Sequence, residues 1–299
     1  AREINNDTIY MLARIKQADA LIRKEDYVRA LEMLHQLRKD DCFQTFQKSP
    51  HIAEYFHVLG TATGDQGSHN DAIEILLKSA KTRIEFFGES DTSLAKTYNN
   101  IGLYNFYLGR FDKANEYYQK AIDIALNHKK DLTDPDIGVY YQNIGIVHAS
   151  KGDFDQALQL FNKSLDFFLG FLDPYSSYLA RLYANMGRLN FQFSKYQESL
   201  KLFNRAEEIF IRNDLSDSYR LGVVYVNKGN IFKRKGNLDK ALEYYKKALQ
   251  IYRGKFDSGH QYISTVLNNI GAVHAEMLNY EQALDYYQQS EKISKDPVS

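Results

Sequence analysis

The sequence predicts an all-α solenoid of seven helix pairs, and three observations predict it. One motif recurs at a nearly fixed interval along the whole chain. Each copy places apolar residues at the 3.6-residue period of an amphipathic helix. The 299 residues include only 4 prolines and 17 glycines, too few for a loop-rich sandwich or a low-complexity linker. Length alone allows one or two domains with a sizeable core. A single repeating architecture over 1–299 selects one.

Five segments align directly, and their central glycines are Gly102, Gly145, Gly187, Gly229 and Gly271, at steps of 43, 42, 42 and 42. A step of 42 back from Gly102 reaches Gly60, and a further step reaches Ala18. The units fall at about 11–50, 53–92, 95–135, 138–177, 180–219, 222–261 and 264–299. Internal repetition of this length means stacked supersecondary units that share one core.

Unit 1 is the weakest copy. Tyr27, Ala30 and Leu34 follow Ala18 at the right distance, but Arg14 and Gln17 stand where apolar residues belong, as terminal repeats often show. Unit 2 repeats the pattern around Gly60. In unit 3 a first helix carries Tyr98, Ile101, Gly102 and Asn105 on one stripe. Gly109 ends it with a positive φ, and Phe111 packs over the turn. A second helix follows with Ala114, Tyr117, Tyr118 and Ala121, and the small residues at 102 and 114 let the two backbones approach. Asp112, Asp155, Asp239 and Glu281 open second helices, where they complement the helix dipole. Pro135 after Asp134 and Pro174 after Asp173 read as a capping residue followed by proline in the first turn of units 4 and 5. In unit 6, Lys228 stands where the other complete units have an aliphatic residue or methionine, and snorkelling from a packed stem is expected. Unit 7 ends near Ile293, which would leave Leu284 and Tyr287 partly uncapped.

With the central glycine numbered 8, position 20 is Ala30, Ala72, Ala114, Ala157, Ser199, Ala241 and Ala283. Position 24 is Leu34, Leu76, Tyr118, Phe161, Phe203, Tyr245 and Tyr287. This resembles the tetratricopeptide repeat over essentially the whole chain. The 42-residue period and the connections, such as LTDPDIGVYYQNIG, resemble the kinesin-light-chain subclass. The resemblance implies a right-handed α-α superhelix whose concave wall comes from the first helix of each unit.

Position 6 lies about 200° around the first helix from positions 4 and 8, so it points away from the partner helix. It is Asn100, Asn143, Asn185, Asn227 and Asn269 in units 3 to 7, and Lys16 and Val58 in units 1 and 2. Duplication alone would copy a tolerated residue. Asparagine is nevertheless a poor helix former, and its amide both donates and accepts. Five such amides could hold an extended peptide by its main chain, as the resemblance to kinesin light chains and quorum-sensing receptors implies. Positions 2, 9 and 13 share the stripe. They supply Arg181, Arg188 and Gln192 in unit 5, Asn230 and Arg234 in unit 6, and Lys96 in unit 3. Asp65 and Glu276 are the acidic members, so a basic groove around units 5 and 6 is expected, suited to a carboxylate or acidic segment. A merely solvated basic face is the alternative.

Other chemistry finds little footing. The 38 basic and 38 acidic side chains balance, which argues against a nucleic-acid binder. No apolar run approaches the ~18 residues of a membrane span. The single cysteine, Cys42, allows no internal disulfide and reads as a small apolar residue. His148 and His274 occupy a packing position, and His35, His51, His57, His69, His128 and His260 lack metal-ligand spacing. No phosphate loop or nucleophile motif occurs. The expectation is therefore a non-enzymatic scaffold for a protein or peptide, with no cofactor or metal and a default cytoplasmic location. Its alternatives are a peptide-sensing regulatory domain and a self-assembly module whose groove binds another copy, and the uncapped C-terminal end is a further surface for self-association. The first residue, Ala1, and the stop at a repeat boundary suggest a piece of a longer protein.

Overall fold

A computed structural model describes residues 2–127 and 135–295, and among these all regular structure is α-helical. The helices are α1 (Arg2–Arg23), α2 (Tyr27–Leu37), a one-turn α3 (Phe43–Phe46), α4 (Ile52–Asp65), α5 (His69–Phe87), α6 (Ser93–Tyr107), α7 (Phe111–Asn127) and α8 (Asp136–Lys151). They continue as α9 (Phe154–Phe171), α10 (Ser177–Gln192), α11 (Tyr196–Arg212), α12 (Tyr219–Arg234), α13 (Leu238–Lys255), α14 (Gln261–Glu276) and α15 (Tyr280–Lys295). Without α3 these are seven successive pairs. Ala1–Asp153 and Phe154–Ser299 form two compact bodies.

The turn inside every pair uses the left-handed region at one register position. Glu25, Gly67, Gly109, Gly152, Ser194, Gly236 and Leu278 all have positive φ there. At Gly109 (φ 71°) the chain reverses with Arg110 N donating to Asn105 O at 2.9 Å, which satisfies a carbonyl at the helix end. The ring of Phe106 then meets Phe111 at 5.7 Å, so the aromatic after the turn packs as its spacing suggests.

Within a pair, the central glycine lets a large ring lie on the first helix. A Cβ at Gly102 would sit 2.7 Å from the Tyr118 ring, and one at Gly229 would sit 2.5 Å from Tyr245. Both rings are buried, so neither has room to retreat. The same second helices carry Ala114 and Ala241, fully buried, where the backbones approach. Met11, Ile15, Tyr55 and Tyr104 help fill the first body, and Phe168, Phe203 and Tyr252 the second. Asn105, predicted on the core stripe, is buried and donates back to Ile101 O at 2.8 Å.

Two details differ from expectation. α10 begins at Ser177 with Ser176 as its cap, and Asp173 instead accepts from Tyr175 N in a turn before the helix. Pro174 therefore precedes the helix by three residues rather than opening it. Asp134 and His128 lie outside the described residues, and Pro135 stands just before α8. α3 carries no helix-length periodicity and was not foreseen. It buries Phe43 and Phe46 against Tyr55, with Phe43 and Tyr55 edge to face at 5.3 Å.

Candidate functional site

First helices of successive pairs lie side by side, α4, α6 and α8 in the first body and α10 and α12 in the second. The five position-6 asparagines are all half-buried.

In the first body these amides are tied to one another. Asn143 Nδ2 donates to Asn99 Oδ1 at 2.8 Å, Asn99 Nδ2 to Asn100 Oδ1 at 3.2 Å, and Asn100 Nδ2 to Thr61 Oγ1 at 3.0 Å. Thr61 in turn donates to His57 O at 2.9 Å. The relay crosses three first helices and uses two residues, Thr61 and Asn99, that sequence reasoning passed over. Asn99 adjoins the repeating asparagine and is asparagine again in unit 7 as Asn268, the one signal that could have drawn attention to it. His57 adds to this face, with Nδ1 3.1 Å from Thr97 Oγ1. Enclosure by protein pushes its imidazole down to about 4, and Arg83 and Lys96 act in the same direction against the pull of Glu54 and Asp19. Lys96 faces Asp136 at 3.1 Å, so its charge is balanced. Asp65 accepts from the Tyr104 hydroxyl at 2.9 Å, and burial raises its carboxyl.

The second body is more open. Asn227 Nδ2 bonds back to Val223 O at 2.8 Å. The side chains of Asn185 and Asn269 make no hydrogen bond to any described residue. Asn230, half-buried, accepts from the buried Tyr245 hydroxyl at 2.6 Å and so anchors the core. Arg181 is half-buried. Burial and the like charge of Arg220 lower its pKa, and Tyr178 and Tyr219 oppose them. Arg188 is exposed at its tip, yet the protein around it lowers its pKa too. Among the described residues, Arg181, Arg188, Arg220 and Arg234 have no carboxylate within ion-pair distance, while Lys233 is matched by Glu276 at 3.1 Å. Arg220 lies over the Tyr219 ring at 4.7 Å. These first helices thus carry arginines without a carboxylate partner and amides with unused hydrogen-bonding capacity.

Lys228 departs from the snorkelling expectation. Its side chain is buried and its Nζ forms an ion pair with Glu207, with the Tyr244 ring 4.5 Å away. The Tyr225 hydroxyl beside Glu207 is pushed up by burial and by that carboxylate. Lys228 therefore locks α12 to α11 and does not reach a ligand.

The remaining candidates fall to packing. His274 is buried and stacked on Tyr286 at 5.4 Å, with burial lowering its pKa. His148 is partly exposed and faces Asp153 at 3.3 Å. Cys42 is half-buried, and burial together with Asp7, Asp40 and Asp41 raises its thiol, the reverse of an activated nucleophile. Among the described residues no group of three His, Cys, Asp or Glu side chains could hold a metal ion. No helix there is long and apolar enough to cross a membrane.

Comparison with known proteins agrees with the helical repeat. A Rap protein complexed with competence and sporulation factor superposes with a TM-score of 0.69 at 13% identity, over 97% of this chain and 77% of that one. BtubC (BKLC) from P. vanneervenii superposes with a TM-score of 0.63 at 21% identity, over 76% and 90%. The TPR-like repeats of a Podosopora anserina kinesin light chain give 0.56 at 13% identity, over 70% and 99%. At such identities the likeness is one of fold. No curated protein matches the sequence. The tetratricopeptide repeat profile matches residues 51–127, 136–212 and 220–296, which is most of the chain. The chain belongs to the tetratricopeptide repeat family.

Proposed function

We propose that this repeat scaffold binds an extended, acidic peptide or protein segment without catalysis. The first-helix face of the second body is its principal contact. Asn185, Asn227 and Asn269 take alternate N–H and C=O groups of the ligand main chain. Arg181, Arg188 and Arg234 receive its carboxylates, and Asn230 contributes its remaining amide hydrogens. Asn100 and Asn143 offer the same register in the first body, where their neighbours already use part of their capacity.

The observation that carries this reading is the contrast between charge and partner. Partly desolvated Arg181 and Arg188, with no carboxylate in ion-pair distance among the described residues, bear a desolvation cost without Coulombic return. A ligand carboxylate would supply that return through charge-assisted bonds. The likeness to a Rap protein solved with competence and sporulation factor is compatible with a signalling ligand.

A peptide selected from a random display library against the whole chain tests the proposal. Its affinity should fall about 100-fold in an Asn185→Ala/Asn227→Ala/Asn269→Ala variant, the loss of several net hydrogen bonds. The variant's helical content should not change. Equal affinity in both proteins would remove the asparagines from the site.

A further inference from the structure

The first body carries a recess between α2, α3, α4 and α5. α2 has 11 residues, whereas the second helices α5, α7, α9, α11 and α13 have 17 to 19. The shortfall is about two turns, or roughly 10 Å of helix. A cavity of about 730 Å³ lies there, open to solvent and lined by α2, α3, α4 and α5. Its floor is the stripe Ile52, Phe56 and Leu59 of α4, and its far wall is Ile75 and Phe86 of α5. Arg38 and Lys48 stand in its lining without a carboxylate in ion-pair distance among the described residues, Lys78 is paired with Glu74 at 2.8 Å, Glu85 faces Lys81 at 3.9 Å, and Asp71 is the remaining acidic member. The recess therefore has the length, apolar floor and charge to take an acidic amphipathic helix.

α15 presents such a helix. Tyr280, Leu284 and Tyr287 are 65%, 57% and 38% exposed, spaced i, i+4 and i+7 on one stripe. The stripe spans about 10 Å, the length that α2 lacks. Glu281 and Asp285 flank it, while Glu291 is paired with Lys295 and Lys292 adds a positive charge in the last turn. We propose that α15 of a second copy of this chain seats in the α2–α5 recess, with Leu284 over Ile75 and its acidic flank toward Arg38 and Lys48. The two contacting surfaces differ, so the contact is heterologous and each copy keeps one free surface of each kind.

Sedimentation of the whole chain over a wide concentration range should show reversible association. Leu284→Asp and Ile75→Asp should each weaken it by about tenfold or more, as loss of a central apolar anchor does. Mixing these two variants should restore a one-to-one complex and nothing larger, since only one intact recess and one intact α15 remain. Arg38→Glu, at an exposed position, should weaken association, and Asp285→Lys in the mixing partner should recover it. The triple asparagine variant should associate like the wild type. A chain that stays monomeric throughout would overturn the proposal. So would association indifferent to both Leu284→Asp and Arg38→Glu, or a mixture of variants that does not pair.

Discussion

Asn143 donates its side-chain amide to Asn99 at 2.8 Å, joining two neighbouring helix pairs through residues 44 apart in sequence. The equivalent Asn185 has no such tie. One repeated residue thus has two environments, and its substitution should have two outcomes. Asn143→Ala should lower stability by about 1 kcal/mol, the net worth of a hydrogen bond at a half-buried site. Asn185→Ala should leave stability unchanged or slightly raised, because alanine is the better helix former. Urea unfolding of the two single variants checks this.

Gly229→Ala should destabilise although alanine favours helix by about 1 kcal/mol. The added Cβ would lie 2.5 Å from Tyr245, whose ring is fully buried and whose hydroxyl is held by Asn230. Overpacking of this kind costs about 1–3 kcal/mol. A lower denaturation midpoint is the expected reading.

The Lys228–Glu207 pair makes a double-mutant test. Lys228→Met alone leaves a largely buried carboxylate unmatched, so a loss of about 2 kcal/mol is expected. Replacing both with Lys228→Met/Glu207→Leu should recover most of it, since apolar packing replaces a buried ion pair well. Thermal melts of the two singles and the double measure the coupling.

His57 predicts a pH dependence with a definite sign. Its folded-state pKa of about 4 lies below the ordinary 6.5. Above pH 6.5 neither the folded nor the unfolded form is protonated there, and the full stability is present. Between 6.5 and 4 only the unfolded chain takes up the proton, so stability falls as the solution is acidified. The loss by pH 4 is on the order of 3 kcal/mol. His57→Asn should flatten this part of the stability profile, measured by denaturant midpoints at stepwise pH.

Much of the architecture was legible because its determinants are local and repeated. The position 8, 20 and 24 residues recur in register, and Gly102 against Tyr118 is the contact that register implies. The positive-φ turn was legible at Gly109, but Ser194 and Leu278 make the same turn with residues that give no such signal. The Asp173–Pro174 pair misled because an aspartate that closes a turn and one that caps a helix look alike in sequence. Lys228 misled for a different reason. Its partner Glu207 is 21 residues away on another helix, and no periodicity links them. The asparagine register was visible, but whether each amide is spent on a neighbour is decided by Thr61 and Asn99, outside that register.

The most direct test of main-chain recognition compares two scans of one selected peptide by calorimetry. One scan methylates each backbone nitrogen, and the other changes each side chain to alanine. If Asn185, Asn227 and Asn269 hold the backbone, N-methylation at alternate positions should cost about tenfold each, while most alanine changes outside the acidic residues should cost little. Full tolerance of N-methylation, with affinity carried by side chains alone, would contradict it.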